Sequence, residues 1–432
     1  MESKEMVRFV RLISALAVAA TLTVTANSAH ASDSGTRTIV AIQKQESGVA
    51  HEDTPQKAPP RSNPGSLNPE DRLGPIPKES AESTQKRLEA AQKFRALRES
   101  GKGATQANAG VAECQALPLS YRNIGVVVDH FSWCHVGNFI VTVRECTSGG
   151  SCTEVGKATF RATTVGFGRN GSRQASFTMS FDQWNVSGKA PAQQITFDMK
   201  CTVTSGSACN GDTANKQTAT IAQWQAMPSA YFGFTSPVAG SVGTDLLSWN
   251  TFVPQLSVVG GNTVDMSWNG FRCDSASYIP QTQGCVFDLS TELWYDLKLA
   301  DPEVNESATH IQDAQNQPDV TFPMYAGKTV PGGVLSGQPL TRVYHDTALR
   351  EANHRKAVST CRQHFGNYSA RGLDCDEYPF QSTLQGAAAG DNRYSARALT
   401  SSDNQAAGRK LGTWYGSQRI LDGDTFYTLV LP

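Results

Sequence analysis

Three acidic side chains crowd into four residues at Asp374-Cys375-Asp376-Glu377, and Tyr378-Pro379-Phe380 set a rigid apolar plug directly behind them. Carboxylates packed against aromatic rings are costly unless positive charge compensates them. A divalent metal ion or a nearby arginine is the natural partner. Cys375 stands between the two aspartates, and a bridge from it to Cys361 would tie the carboxylates to the preceding segment. A second segment of interest is Ser402-Asp403-Asn404-Gln405-Ala406-Ala407-Gly408-Arg409-Lys410-Leu411. Ser402 or Asp403 can cap a short helix here. Asn404 then sits in the first turn with its amide oxygen free for a hard cation. The plainer reading of Asn404 is a cap residue. Arg409 and Lys410 follow and can face a phosphate backbone.

The elements around these segments are readable in outline. A helical run is predicted from Asp346 to Cys361, with Arg355, Lys356 and Arg362 giving it a basic side. His345, His354 and His364 are too loosely spaced for a metal or base set and read as phosphate contacts or surface residues. The turn Asp422-Gly423-Asp424 leads into a strand from Thr425 to Val430. Residues 300–340 carry Pro302, Pro318, Pro323, Pro331 and Pro339, which marks a boundary or a long loop.

From Cys114 to about Leu299 the pattern has period two. Phe139, Val141 and Val143 alternate with polar neighbours, as do Ala175, Phe177, Met179 and Phe181, and Ile195, Phe197, Met199, Cys201 and Val203. Such alternation puts one face in a core and one in water, and short strands parted by Gly, Ser and Asn turns predict an antiparallel sandwich. The segment also carries Trp133, Trp184, Trp224, Trp249, Trp268 and Trp294. Exposed, these would point to a carbohydrate or surface ligand; buried, they are core residues. Residues 32 to about 110 look poorly ordered, with one helix predicted from Glu79 to Glu99 as a spacer or propeptide.

Arg8 and Arg11, the apolar run from Leu12 to Val24 and Ala29-His30-Ala31 have the layout of a secretion signal over residues 1–31. Ten cysteines agree with export, because disulfides persist in oxidising compartments. The simplest connectivity joins neighbours: Cys114 with Cys134, Cys146 with Cys152, Cys201 with Cys209, Cys273 with Cys285 and Cys361 with Cys375. No CxxC pair suggests zinc. The net charge of -1 argues against a nucleic-acid coat protein or a polybasic membrane binder, though a local basic patch can hide inside a neutral total.

Asp374 to Pro379, Gly386 to Gly390, Ser402-Asp403-Asn404 and Asp422-Gly423 fall in the order and spacing of one family's motifs. Together with Thr309-His310-Ile311-Gln312-Asp313-Ala314, they make residues 305–432 resemble the deoxyribonuclease NucA/NucB family of small secreted nucleases. The resemblance implies a small α+β nuclease domain with a ββα-metal-like core behind the sandwich, in a multidomain chain. It implies a secreted endonuclease that cuts the phosphodiester bonds of extracellular DNA with one Mg²⁺ or Mn²⁺ ion. Mapped onto this chain, Asp376 is the base, Asp374 its fallback, Asn404 a metal ligand, and Glu377 a ligand or an orienting group. The chain departs from the family's pattern at Gln385, where an acid is usual, and at Cys375, where arginine is usual. Arg371 and Arg393 are candidates to supply the missing charge, and with Arg409 and Lys410 they are the expected DNA contacts. The rival reading is a secreted binding protein, with a cell-surface or polymer ligand on residues 112–300 and an inactive nuclease-like remnant behind it.

Overall fold

The computed structural model describes residues 36–45, 110–211, 216–288, 293–336 and 338–432. The leader read over residues 1–31 and the helix read from Glu79 to Glu99 lie outside the described residues. The β-rich unit contains strand β1 (Thr36–Gln45), helix α1 (Val111–Gln115), β2 (Val126–Asp129), β3 (Ser132–Thr147), β4 (Cys152–Gly168) and β5 (Gln174–Gly188). It continues through β6 (Gln194–Ser205), β7 (Asn210–Gly211), β8 (Lys216–Thr220), α2 (Ile221–Ala226) and β9 (Ser229–Thr235). Strands β10 (Ser248–Val258), β11 (Thr263–Asp265), β12 (Asn269–Asp274) and β13 (Gly284–Val286) complete it.

These strands form two antiparallel sheets. One runs β1-β3-β4-β5-β9-β7, with β2 on β3; the other runs β13-β12-β10-β6-β8, with β11 on β10. The alternating residues explain why the sheets pack face to face. Val141, Phe177 and Phe181 of the first meet Phe197, Phe252 and Phe271 of the second in one buried cluster, and the Phe181 and Phe197 rings stack at 3.8 Å. The alternation fades at the end of β6, where Val203 is exposed. Of the six tryptophans, Trp133, Trp224 and Trp294 are buried and the other three are partly buried, so none is an exposed platform. The expected lack of order over residues 32–110 does not hold for Thr36–Gln45. This stretch pairs with β3 along its whole length and buries Val40 and Ile42.

The C-terminal unit comprises β14 (Trp294–Lys298), α3 (Asn305–Asn316), β15 (Leu340–Thr341), α4 (Thr347–Phe365), β16 (Leu373–Tyr378), β17 (Ser395–Thr400), α5 (Ser401–Ser417) and β18 (Thr425–Leu431). Strand β14 lies parallel to β18, and β15 completes that sheet. The unit therefore takes in residues before 300, since Leu293, Tyr295 and Leu297 pack into its core. The proline-rich stretch is not one long loop either. Helix α3 fits between Pro302 and Pro318, which flank it and do not interrupt it. Helix α4 begins as read, because the Asp346 carboxylate accepts from Leu349 N at 2.9 Å.

The two units share a buried ionic seam. Arg272 on β12 donates to both oxygens of Asp424 at 2.7 and 2.9 Å. Arg419, just past α5, binds Asp274 two residues along the same strand. All four side chains are at most 2 % exposed. Beside them Tyr278 stacks on Tyr344 at 3.6 Å, and the Arg342 guanidinium lies over both rings.

All five neighbouring cysteine pairs are bonded. Cys361–Cys375 joins α4 to β16. Closing a loop of this length restricts the unfolded chain by about 3 kcal/mol. The Cys361→Ala/Cys375→Ala double variant should lose that much stability in a urea titration. An unchanged midpoint would mean the bridge adds nothing.

Candidate active site

Strands β16 and β17 form a two-stranded antiparallel hairpin in which Asp376 faces Arg397 and Asp374 faces Leu399. Strand alternation puts Asp374 and Asp376 on one face, and Cys375 and Glu377 on the other, toward α4. The chain passes from β17 straight into α5, which brings Asn404 over β16.

Asp376 is held by a residue read only as part of a motif. His310, fully buried on α3, places Nδ1 2.6 Å from Asp376 Oδ2 and Nε2 2.7 Å from Ser395 Oγ. A carboxylate only accepts, so Nδ1 donates to Asp376, while Nε2 shares a hydrogen bond with the Ser395 hydroxyl. Asp376 Oδ1 makes no hydrogen bond among the described residues. Three residues further along α3, Asp313 accepts from Arg397 Nη2 at 2.7 Å. The i, i+3 spacing of His310 and Asp313 puts both on the helix face toward the hairpin. That spacing was the available sequence signal. The cation beside the aspartates is thus Arg397.

Asp374 accepts from Ser401 Oγ at 2.8 Å on one oxygen and from Gln405 Nε2 at 3.0 Å on the other. Burial, then the neighbouring Asp376 carboxylate, push the Glu377 carboxyl up to about 8, against the pull of the Gln381 backbone N–H. Asn404 Nδ2 makes a long contact with Cys375 O at 3.4 Å, which leaves the amide oxygen open. Asp403 caps a different helix from the one read. It is buried, and its carboxylate accepts from the N–H groups of Glu306 and Ser307 at the start of α3. Glu306 answers by accepting from Thr400 N and Oγ1 at the start of α5.

The predicted DNA contacts are scattered. Arg371 donates to Phe365 O. Arg393 is engaged by Thr329 and Gln338. Lys410 is paired with Asp301 and Glu303. Arg409 is exposed on α5. Gln385 is buried, and its amide brackets Thr341, accepting from the backbone N–H at 2.9 Å and donating to Oγ1 at 3.2 Å. The next residue, Gly386, lies so close to the Asn353 amide that a Cβ would fall 2.3 Å from it. Asn353 fastens this loop to α4 through Gln381 O, Thr383 O and Ala388 N.

An open cleft of ≈ 730 Å³ runs along the free edge of β16. Its lining includes Asp374, Cys375 and Asn404 together with His354 and Arg362 of α4, while Asp376 and Glu377 lie outside it. Among the described residues no group of three or more His, Cys, Asp or Glu side chains converges as a metal cage.

Residues 336–429 match the family model Deoxyribonuclease NucA/NucB. No curated protein and no solved structure gives a significant match. The C-terminal region thus carries a deoxyribonuclease domain, an enzyme whose implied substrate is DNA. The match begins after α3, so it leaves out His310 and Asp313. Five disulfides, with no described helix long and apolar enough to cross a membrane, are compatible with an extracellular protein.

Proposed function

We propose that the chain is an exported endonuclease that hydrolyses extracellular DNA, with Asp376 taking the proton of the attacking water. The observation that carries this reading is the anchoring of Asp376. One oxygen is held by His310 while the other is left for a water, which is the arrangement a general base needs. Asp374 has both oxygens occupied by α5 and suits a positioning task better. The β16–β17 hairpin leads directly into α5, which supports a ββα-metal-like core.

Nucleases of this family are generally divalent-metal dependent. The residues present fit such an ion. The donors are hard oxygens, the open amide oxygen of Asn404 and the half-buried carboxyl of Glu377 beside that of Asp376. Glu377 and Asn404 would hold the ion; Mg²⁺ commonly takes only one or two carboxylates, completing its shell with water and substrate phosphate. When bound it stabilises charge developing on the phosphate and the leaving oxygen. His310 fixes the carboxylate of Asp376, and Asp376 accepts the proton.

Purified full-length protein should cleave plasmid DNA in Mg²⁺ or Mn²⁺ and stop in excess EDTA. Undiminished cleavage with the chelator present would refute the metal requirement. The departure at Gln385, where the family usually has an acid, would favour an inactive remnant. The Gln385 side chain is committed to Thr341, so the missing acid there reflects a structural bracket.

A further inference from the structure

We infer that duplex DNA is seated with the phosphates of one strand along the outer face of α4, held by Arg350, His354 and Arg362. This rests on the nuclease reading and adds the surface that carries the substrate into the site.

The cleft beside Asp374 and Asn404 does not end at His354. A second depression continues from it, lined by Thr347, Arg350, Glu351, His354, Arg355 and Gln381. His354 belongs to both. Positions 350, 354, 358 and 362 lie four apart and form one stripe on the helix. From Arg350 to Arg362 the helix rises ~18 Å at about 1.5 Å per residue. Measured along the duplex axis, that is about five steps of roughly 3.4 Å.

The hydrogen-bond donors on this stripe are available. Arg362 and His354 are exposed and make no ion pair among the described residues. Arg350 has a buried Nε without a hydrogen bond, a 3.4 Å contact from Nη1 to Tyr344 O and a guanidinium 5.9 Å over the Tyr344 ring, and it makes no ion pair among the described residues. Arg355 differs, since Glu351 offsets its charge at 3.3 Å. Elsewhere near the site, Lys410 is paired with Asp301 and Glu303, and Arg393 is held by Thr329, Gln338 and Asp391. In a chain of net charge -1, two arginines without ion pairs among the described residues, on one helix face beside the cleft, complement a polyanion. Arginine suits phosphate because its planar fork gives paired donors. The contacts would be to backbone alone, so binding along α4 carries no sequence preference.

The test is DNA binding by full-length protein in EDTA, followed by the anisotropy of a labelled duplex over a salt series. Arg350→Gln and Arg362→Ala should each flatten the slope of log K against log salt by about 0.9 for the contact removed. Lys356→Ala is the control, because Lys356 is exposed on the same helix but lines neither depression. It should keep the wild-type slope. In Mg²⁺ the two arginine variants should raise KM with kcat retained. Arg362 is exposed, so its variant does not depend on core packing. If both arginine variants bind and turn over as the wild type does, or if Lys356→Ala loses as much, the seating is wrong. Wild-type cleavage in that case leaves the nuclease reading standing; a wild type that neither binds nor cleaves DNA overturns both.

Discussion

Asp376→Asn should keep the fold and the DNA affinity while turnover falls by about 10²–10⁴-fold, the usual contribution of a general base. An amide has nearly the shape of a carboxylate. It can still accept from His310 Nδ1, which lies 2.6 Å from Oδ2, so the anchor survives the change. What is lost is the oxygen that accepts the water proton. Asp374→Asn should behave differently, because its oxygens are engaged by Ser401 and Gln405. There the expected result is a modest loss, from loosening the start of α5 against β16. The comparison has to be made at saturating metal and DNA, so that kcat alone is read. If Asp374→Asn is dead and Asp376→Asn turns over normally, the base has been given to the wrong aspartate. If both stay active, neither carboxylate takes the proton.

Parts of this site could be read from the chain because they are local. The carboxylate cluster is contiguous, and Asn404 lies in the first turn of a helix as its spacing implied. The partners of Asp376 could not be read in the same way. His310 stands 66 positions away on helix α3, and its motif and i, i+3 relation to Asp313 carry no sign of which strand residue it meets. Asp403 had every property of a local cap, yet its carboxylate satisfies N–H groups at the start of α3. A capping side chain can serve any helix end within reach, and sequence spacing ranks only the nearest one.

The same division runs through the fold. Period-two alternation located the long strands because burial of one face is recorded residue by residue. Neighbouring cysteines paired because hairpins and short loops bring them together; Cys273 and Cys285, for example, sit directly opposite in β12 and β13. Strand β14 reads in sequence as one more strand of the β-rich unit, because its apolar residues look like those of any strand. Its partner β18 follows only at the end of the chain, and a parallel pairing leaves no turn signature between them. Thr36–Gln45 was passed over because its few large apolar residues suffice only when a long neighbour such as β3 is there to receive it.

Asp274→Ala should destabilise both units together, by about 3–5 kcal/mol, the cost of removing one partner from a buried ion pair. Arg419 and Asp274 are each 0 % exposed, so the guanidinium left behind has no water to turn to. Its bonds to Asn170 Oδ1 and Gln281 O remain but carry no full negative charge. A typical domain is stable by only about 5–15 kcal/mol, so the loss is a large part of the total. The effect crosses between units because Asp274 belongs to the β-rich unit, Arg419 follows the helix that carries Asn404, and Arg272–Asp424 bridges the same seam. Heating should therefore remove near-ultraviolet dichroism and DNA cleavage at one temperature, lower than in the wild type. An Asp274→Leu/Arg419→Met double variant should recover much of the loss, since apolar replacement of a whole buried pair is often neutral. Asp274→Ala with a wild-type midpoint, or cleavage lost well below the dichroism transition, would show that the seam does not join the two units into one cooperative body.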